Sequence, residues 1–123
     1  MKTVELAVTT IADGTGSVAV NIGSLFPEGA LLYAVEWNLG TFDAGVDGTI
    51  TCTSALNGTA LTVATLTNAN ADLMYYPRAA EIDTAGAALT MYSLPLVRDT
   101  VTLTIAQGGN VKTGTAYLHL VEA

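Results

Sequence analysis

The sequence predicts an all-β fold, an antiparallel β-sandwich of jelly-roll type with seven or eight short strands. Apolar and polar residues alternate with a period of two in one segment after another, which is typical of strands with one buried face. Threonine is abundant and stands opposite the apolar positions, as expected for half-buried strands. Short glycine-containing turns separate these segments and no stretch has a helical period, a pattern that favours a sandwich or barrel.

The first half of the chain predicts three strands. Alternation begins at Val4, and it resumes at Val18 after a turn at 13–17 (DGTGS). A loop with glycine and proline leads to a longer apolar segment, 31–42 (LLYAVEWNLGTF), which we predict to be a strand with a bend at Gly40.

The middle and the end of the chain supply the other strands. Segment 49–55 places Ile50 and Cys52 on one face, and an Asn-Gly pair in "LNGT" is typical of a two-residue hairpin turn before the return strand "ALTVATLT". The sequence "ALTMYSL" predicts a short strand. The segments "DTVTLTIA" and "TAYLHLV", joined by the turn "QGGNVKTG", predict the last two strands.

Composition limits the possible partners. The 123 residues fit one domain, 1–123, and the net charge is −7 with only four basic residues. Phosphate binding needs clustered cations, so nucleic acid and anionic membranes are unfavourable partners. No apolar run is long enough to span a bilayer, and Glu5 interrupts the apolar N-terminal stretch, which favours a strand over a signal peptide. The charged fraction of 12% is low, and we take it as a sign of a protein that works within an assembly.

The sequence offers no catalytic, metal-binding or cofactor-binding set. His119 is the only histidine and lies in an alternating strand, where we expect a solvent or subunit contact. Cys52 is the only cysteine, and its position on an apolar face predicts a buried, inert thiol. Asp43 and Asp47 in "DAGVDG" leave a calcium ion as an alternative to a simple turn, although the segment lacks the length of an EF-hand loop.

Two aromatic residues leave a second alternative open. We expect Tyr33 and Trp37 to share one face of the long strand with Val35 and to pack in the core. An exposed Trp37 would instead be available to stack against a sugar.

The stretch 74–89 (MYYPRAAEIDTAGAAL) is predicted to be an aperiodic loop, in a segment of about 20 residues that compact domains seldom carry without a function. Tyr75, Tyr76 and Arg78 are residue types enriched at protein–protein interfaces, and Pro77 restricts the backbone between them. We therefore predict a contact loop with these three residues as anchors. The alternative is a loop that covers one end of its own sandwich.

Three stretches together resemble small virion structural proteins of tailed bacteriophages and prophages: 43–58 (DAGVDGTITCTSALNG), 76–89 (YPRAAEIDTAGAAL) and 99–120 (DTVTLTIAQGGNVKTGTAYLHL). The resemblance implies a β-sandwich that decorates or cements the exterior of a capsid, with the major capsid protein as its partner. A place in the connector or tail is also open.

The sequence thus predicts a non-enzymatic capsid decoration protein that bridges neighbouring capsomers and stabilises the head. Decoration of a repeated lattice favours a symmetric homo-oligomer, and we expect a trimer. The alternative is a carbohydrate-binding β-sandwich module displayed on a virion or cell surface. Burial or exposure of Trp37 is the observation that separates the two.

Overall fold

The computed structural model describes residues 1–56 and 58–123, and in this part of the chain it contains eleven strands and no helix. No described segment could therefore cross a membrane as a long apolar helix. The strands are β1 Lys2–Thr9, β2 Gly16–Asn21, β3 Ala30–Asn38, β4 Asp47–Thr53, β5 Ala60–Leu66, β6 Leu73–Tyr75, β7 Ala79–Ile82, β8 Ala88–Ser93, β9 Leu96–Val97, β10 Thr100–Ala106 and β11 Thr113–Glu122.

Nine of these strands form two antiparallel sheets, and eight of the nine pair in a nested order. β1 pairs with β11, β2 with β10, β3 with β6 and β4 with β5. The first sheet has the order β1-β11-β3-β6 and the second has the order β2-β10-β4-β5. One sheet curls strongly into a half-barrel. Pairing of the first strand with the last, and of the second with the last but one, is the arrangement of a jelly roll, so the predicted fold is confirmed.

Three short strands are inserted between β6 and β10. β7 and β8 form a separate two-stranded hairpin, and β9 pairs with the N-terminal end of β3. The prediction of one aperiodic loop after residue 73 was therefore wrong, whereas the strand predicted in "ALTMYSL" is confirmed as β8. Alternation is missing there because neither face of the hairpin is buried, and a period of two arises only when one face is buried.

The two sheets enclose one hydrophobic core. Its largest fully buried side chains come from both sheets and from the loop before β3, and they include Leu6, Ile22, Leu32, Trp37, Ile50, Leu66, Leu103, Ile105, Leu118 and Leu120. Cys52 belongs to the same core, as the alternation in β4 predicted.

Threonines cover the outer face of the second sheet. Pairing of β4 with β10 places Thr49 opposite Thr104, Thr51 opposite Thr102 and Thr53 opposite Thr100. The hydroxyl groups make this face polar with little charge, and Asp47 at the start of β4 lies on the same face.

A β-bulge in β3 corrects one sequence prediction. β11 pairs His119 with Ala34 but Leu120 with Leu32, so Tyr33 is an extra residue in β3. An extra residue reverses the alternation, and Leu32 and Trp37 both point into the core although they are an odd number of positions apart. Tyr33 lies on the outside of the sheet and does not share a face with Trp37.

The connections between strands mostly follow the predicted turns. In the turn between β1 and β2, the Thr15 hydroxyl and backbone amide donate to Asp13 Oδ1 at 2.7 and 3.0 Å, and these bonds lower the pKa of the Asp13 carboxyl. β3 ends at Asn38, before the predicted bend at Gly40. The Asn-Gly turn predicted between β4 and β5 falls on Asn57, which lies outside the described residues.

Trp37 gives a test of the core. Its indole N–H donates to the Ala69 carbonyl at 2.9 Å, and its ring stacks on Phe42 with the centroids 5.8 Å apart. We expect Trp37→Phe to lower the free energy of unfolding by about 1–3 kcal/mol, because the buried carbonyl loses its donor, and Trp37→Ala by about 3–5 kcal/mol. Urea unfolding followed by circular dichroism measures both. A Trp37→Phe variant as stable as the parent would show that this hydrogen bond contributes nothing.

Candidate interaction surface

The hairpin of β7 and β8, residues 79–93, stands apart from the sandwich, and we call it the arm. Every residue in its two strands is exposed. Its strands pair only with each other, with a register shift between Ala80 and Ile82. A two-stranded hairpin on its own is marginally stable in water. The arm therefore depends on its turn, its base or a partner for order.

The turn at the tip of the arm is well specified by its sequence. Asp83 Oδ1 accepts hydrogen bonds from the backbone amides of Ala85 and Ala87, both at 2.9 Å. Two backbone bonds between Asp83 and Ala87 and between Gly86 and Asp83 close the turn. Gly86 has a φ of +87°, a conformation that L side chains rarely adopt. These contacts define the tip without any contact to the sandwich.

Large apolar side chains cover the arm. Ile82, Met91 and Tyr92 are 63, 57 and 66% exposed, and Leu89 is exposed as well. Scattered apolar residues are normal on a protein surface, but a projecting hairpin with several of them concentrates apolar area in one place. Concentrated exposed apolar area is typical of an interaction site.

The base of the arm is fixed by Tyr33, Tyr76 and Arg78. The Arg78 Nη1 atom donates to the carbonyls of Tyr33 at 3.1 Å and Pro77 at 2.6 Å. Its guanidinium lies 5.8 Å from the Tyr33 ring centroid and 6.0 Å from that of Tyr76, and the two rings meet edge to face at 6.2 Å. The bulge in β3 is what brings the Tyr33 ring to the outside for this contact.

The structure thus gives the three predicted anchors different surroundings. Tyr75 lies in β6, pairs with Val35 and packs half-buried against the core. Tyr76 and Arg78 lie exposed at the base of the arm. Arg78 has no carboxylate partner among the described ion pairs. Their role at an interface remains a prediction, and each also has a role within its own chain.

An apolar groove runs along the edge of the sandwich beside the arm. It has two adjoining hollows of about 280 and 290 Å³ between β5 on one side and the base of the arm with β9 on the other. We call it the edge groove, and its main lining residues are Leu61, Val63, Leu66, Tyr75, Arg78 and Leu96.

His119 lies on the outer face of the first sheet, as predicted. Its Nδ1 atom is 3.2 Å from the Thr3 hydroxyl and its Nε2 atom is 3.4 Å from Glu36 Oε1. A shallow hollow of about 190 Å³ beside it is lined by Met74 and Tyr76, among others. These contacts orient the imidazole across three neighbouring strands, and the structure brings no cysteine or second histidine to it.

Two further candidate residues, Cys52 and Trp37, lie in the hydrophobic core. Cys52 is buried, its Sγ accepts a hydrogen bond from the Arg98 amide at 3.2 Å, and its thiol donates to the Arg98 carbonyl at 3.1 Å. The ring of Trp37, at 1% exposure, cannot reach a sugar.

The segment 43–48 turns at 44–45 and enters β4 at Asp47, and two side-chain bonds connect it to residues 68–70. Asp47 Oδ1 accepts from the Asn68 amide at 2.9 Å, and Asn70 Oδ1 accepts from the Gly45 amide at 2.6 Å. In the described residues, no three side chains of the His, Cys, Asp and Glu types come together as a group able to hold a metal ion.

Sequence analysis missed the arm as a structure and missed the edge groove. A signal for both exists in the distribution of charge. Residues 48–71 and 84–97 contain no charged side chain, and these stretches include β5, β8 and β9. An edge strand or a free hairpin usually carries charges that prevent association, and their absence points to surfaces meant to be covered.

Comparison with protein-family models, with curated proteins and with solved structures found no match to this chain.

Removal of the arm tests its independence from the sandwich. We expect a chain in which residues 80–92 are replaced by a short Gly-Ser linker to keep the parent's free energy of unfolding within about 1 kcal/mol, because no buried residue is lost. Urea unfolding measures the change. A loss of several kcal/mol would show that the arm is an internal support of the sandwich.

Proposed function

We propose that this protein is a structural subunit of a bacteriophage virion, a decoration or cement protein on the capsid exterior that acts by contact and not by catalysis. The observation that carries the proposal is the arm, a hairpin with exposed apolar side chains that no part of its own sandwich covers. Apolar surface exposed to water is unfavourable, and contact with a partner would bury it.

Three further features support the proposal. The resemblance of three stretches to small virion proteins implies a virion component, and of the places open to it we favour the capsid exterior. The jelly roll is used by viral capsid domains and by lectins, although a fold alone does not determine function. Threonines cover most of the outer face of the second sheet, as suits a subunit packed among others.

The mechanism is the bridging of neighbouring capsomers. A decoration subunit that contacts the major capsid protein on both sides of a junction opposes their separation under the pressure of packaged DNA. A symmetric oligomer, for which we favour a trimer, would present several identical contacts at once, and linked contacts give far higher total affinity than one alone.

The alternative, a carbohydrate-binding module, loses the residue on which it was based. Trp37 is buried and hydrogen-bonded to Ala69, so a sugar would have to stack on another aromatic ring. The exposed rings of Tyr33 and Tyr76 contact each other and the Arg78 guanidinium. We therefore favour the assembly function.

Co-sedimentation with undecorated capsids tests the proposal. We expect the double variant Tyr76→Ala with Arg78→Ala to bind capsids at least tenfold more weakly, because truncation of an interface anchor commonly costs about 2 kcal/mol. The matched control is Val111→Ala with Lys112→Ala, which removes one exposed apolar side chain and one cation from the turn between β10 and β11.

Circular dichroism shows whether both variants are folded. If the parent protein does not sediment with capsids at all, the proposed function is wrong. If the parent and both variants sediment equally, the arm base is not the contact.

A further inference from the structure

We propose that the arm of one copy of this chain docks in the edge groove of a second copy, in a head-to-tail contact. The inference rests on the proposed function only in that both assign the arm to assembly. It names the partner of the arm as an identical subunit and the receiving surface as the groove between β5 and β9.

The edge groove is built to receive a strand or a hairpin. β5 is the outer strand of the second sheet, so one side of its backbone has no neighbouring strand. It has seven residues and carries no charge and no proline, the usual protections of an exposed edge. The side chain of Leu61 is 63% exposed and Leu96 across the groove is 57% exposed. A partner that covers the groove would bury both.

The arm matches the groove in length and in character. β8 has six residues, which at 3.3 Å per residue extend about 20 Å. β5 extends about 23 Å on the same basis. The arm presents Ile82 and Met91 to solvent, and the groove presents Leu61 and Leu96. Contact between the two surfaces would remove all four apolar side chains from water.

The charges of the two surfaces are complementary. Among the described residues that line the edge groove, Arg78 is the only charged one. The arm carries Glu81 and Asp83 and no basic residue. Glu81 forms no ion pair in the described part of its own chain, and neither does Arg78. An acidic arm is attracted to a cationic groove, and an approach of two grooves or of two arms brings like charges together.

The two surfaces differ, so the contact is heterologous. Each copy donates an arm and accepts another, and such contacts either close into a ring or continue as a filament. Closure after three copies would produce the trimer that capsid decoration favours.

Two variants with the same added charge test the contribution of the arm and that of the groove separately. The arm variant carries Ile82→Glu and Met91→Glu, and the groove variant carries Leu61→Glu and Leu96→Glu. All four positions are exposed, so neither variant should lose its fold. We expect the parent to self-associate in light scattering at micromolar concentration. We expect each variant alone to associate at least about tenfold more weakly, because buried interface anchors contribute much of the binding energy.

Mixing the two variants is the decisive measurement. The arm of the groove variant is intact and the groove of the arm variant is intact, so one contact can form and the second cannot. We expect an equimolar mixture to give a dimer of about twice the 12.6 kDa chain mass that does not grow further. The control is Ile11→Glu with Val111→Glu, which adds the same charge to exposed apolar residues of neither surface and should associate like the parent.

The outcomes distinguish this inference from the proposed function. A monomeric parent, or variants that associate like the parent, would overturn the arm-groove contact. So would a mixture that stays monomeric although each variant is folded by circular dichroism. Each of these results leaves capsid co-sedimentation of the parent free to succeed, and in that case the proposed function stands without the arm-groove contact.

Discussion

The edge of β3 that faces away from β11 needs hydrogen-bond partners along its length, and the arrangement around the arm follows from how they are supplied. β6 pairs with Val35–Trp37, β9 pairs with Ala30 and Leu31, and the Pro95 carbonyl accepts from the Leu32 amide. Between these pieces lies the bulge at Tyr33, whose carbonyl accepts from Arg78. Because β6 and β9 pair with separate parts of this edge, the chain leaves β3 after Tyr75 and returns to it at Leu96. The arm is formed by the residues between these two points.

Sequence analysis predicted the two packed sheets well because one face of most of their strands is buried, and burial of one face produces the alternation that is visible in the sequence. The buried Cys52 and the outward position of His119 followed from the same alternation. The arm has no buried face and so no period. The bulge at Tyr33 adds one residue to β3, and nothing in the local composition marks it, which is why Tyr33 and Trp37 were placed on one face.

The predicted anchors illustrate what sequence can and cannot say about a site. Tyr76 and Arg78 were identified by residue type, and the structure places them together with Tyr33, which sequence reasoning had assigned to the core. Arg78 has two roles. It fixes the arm to β3 by donating to the Tyr33 carbonyl, and its guanidinium places a positive charge in the lining of the edge groove. The same side chain thus orders the arm and marks the surface that we propose receives another.

Amide hydrogen exchange of the arm tests the central claim that it is a contact surface waiting for a partner. At concentrations below those at which copies associate, the amides of β7 and β8 should exchange far faster than those of β10 and β11, because the arm has no buried contacts. At concentrations where copies associate, or on capsids, we predict that exchange in the arm slows by about tenfold or more as its backbone is covered. An arm that exchanges equally fast in the free and the assembled protein would contradict the account.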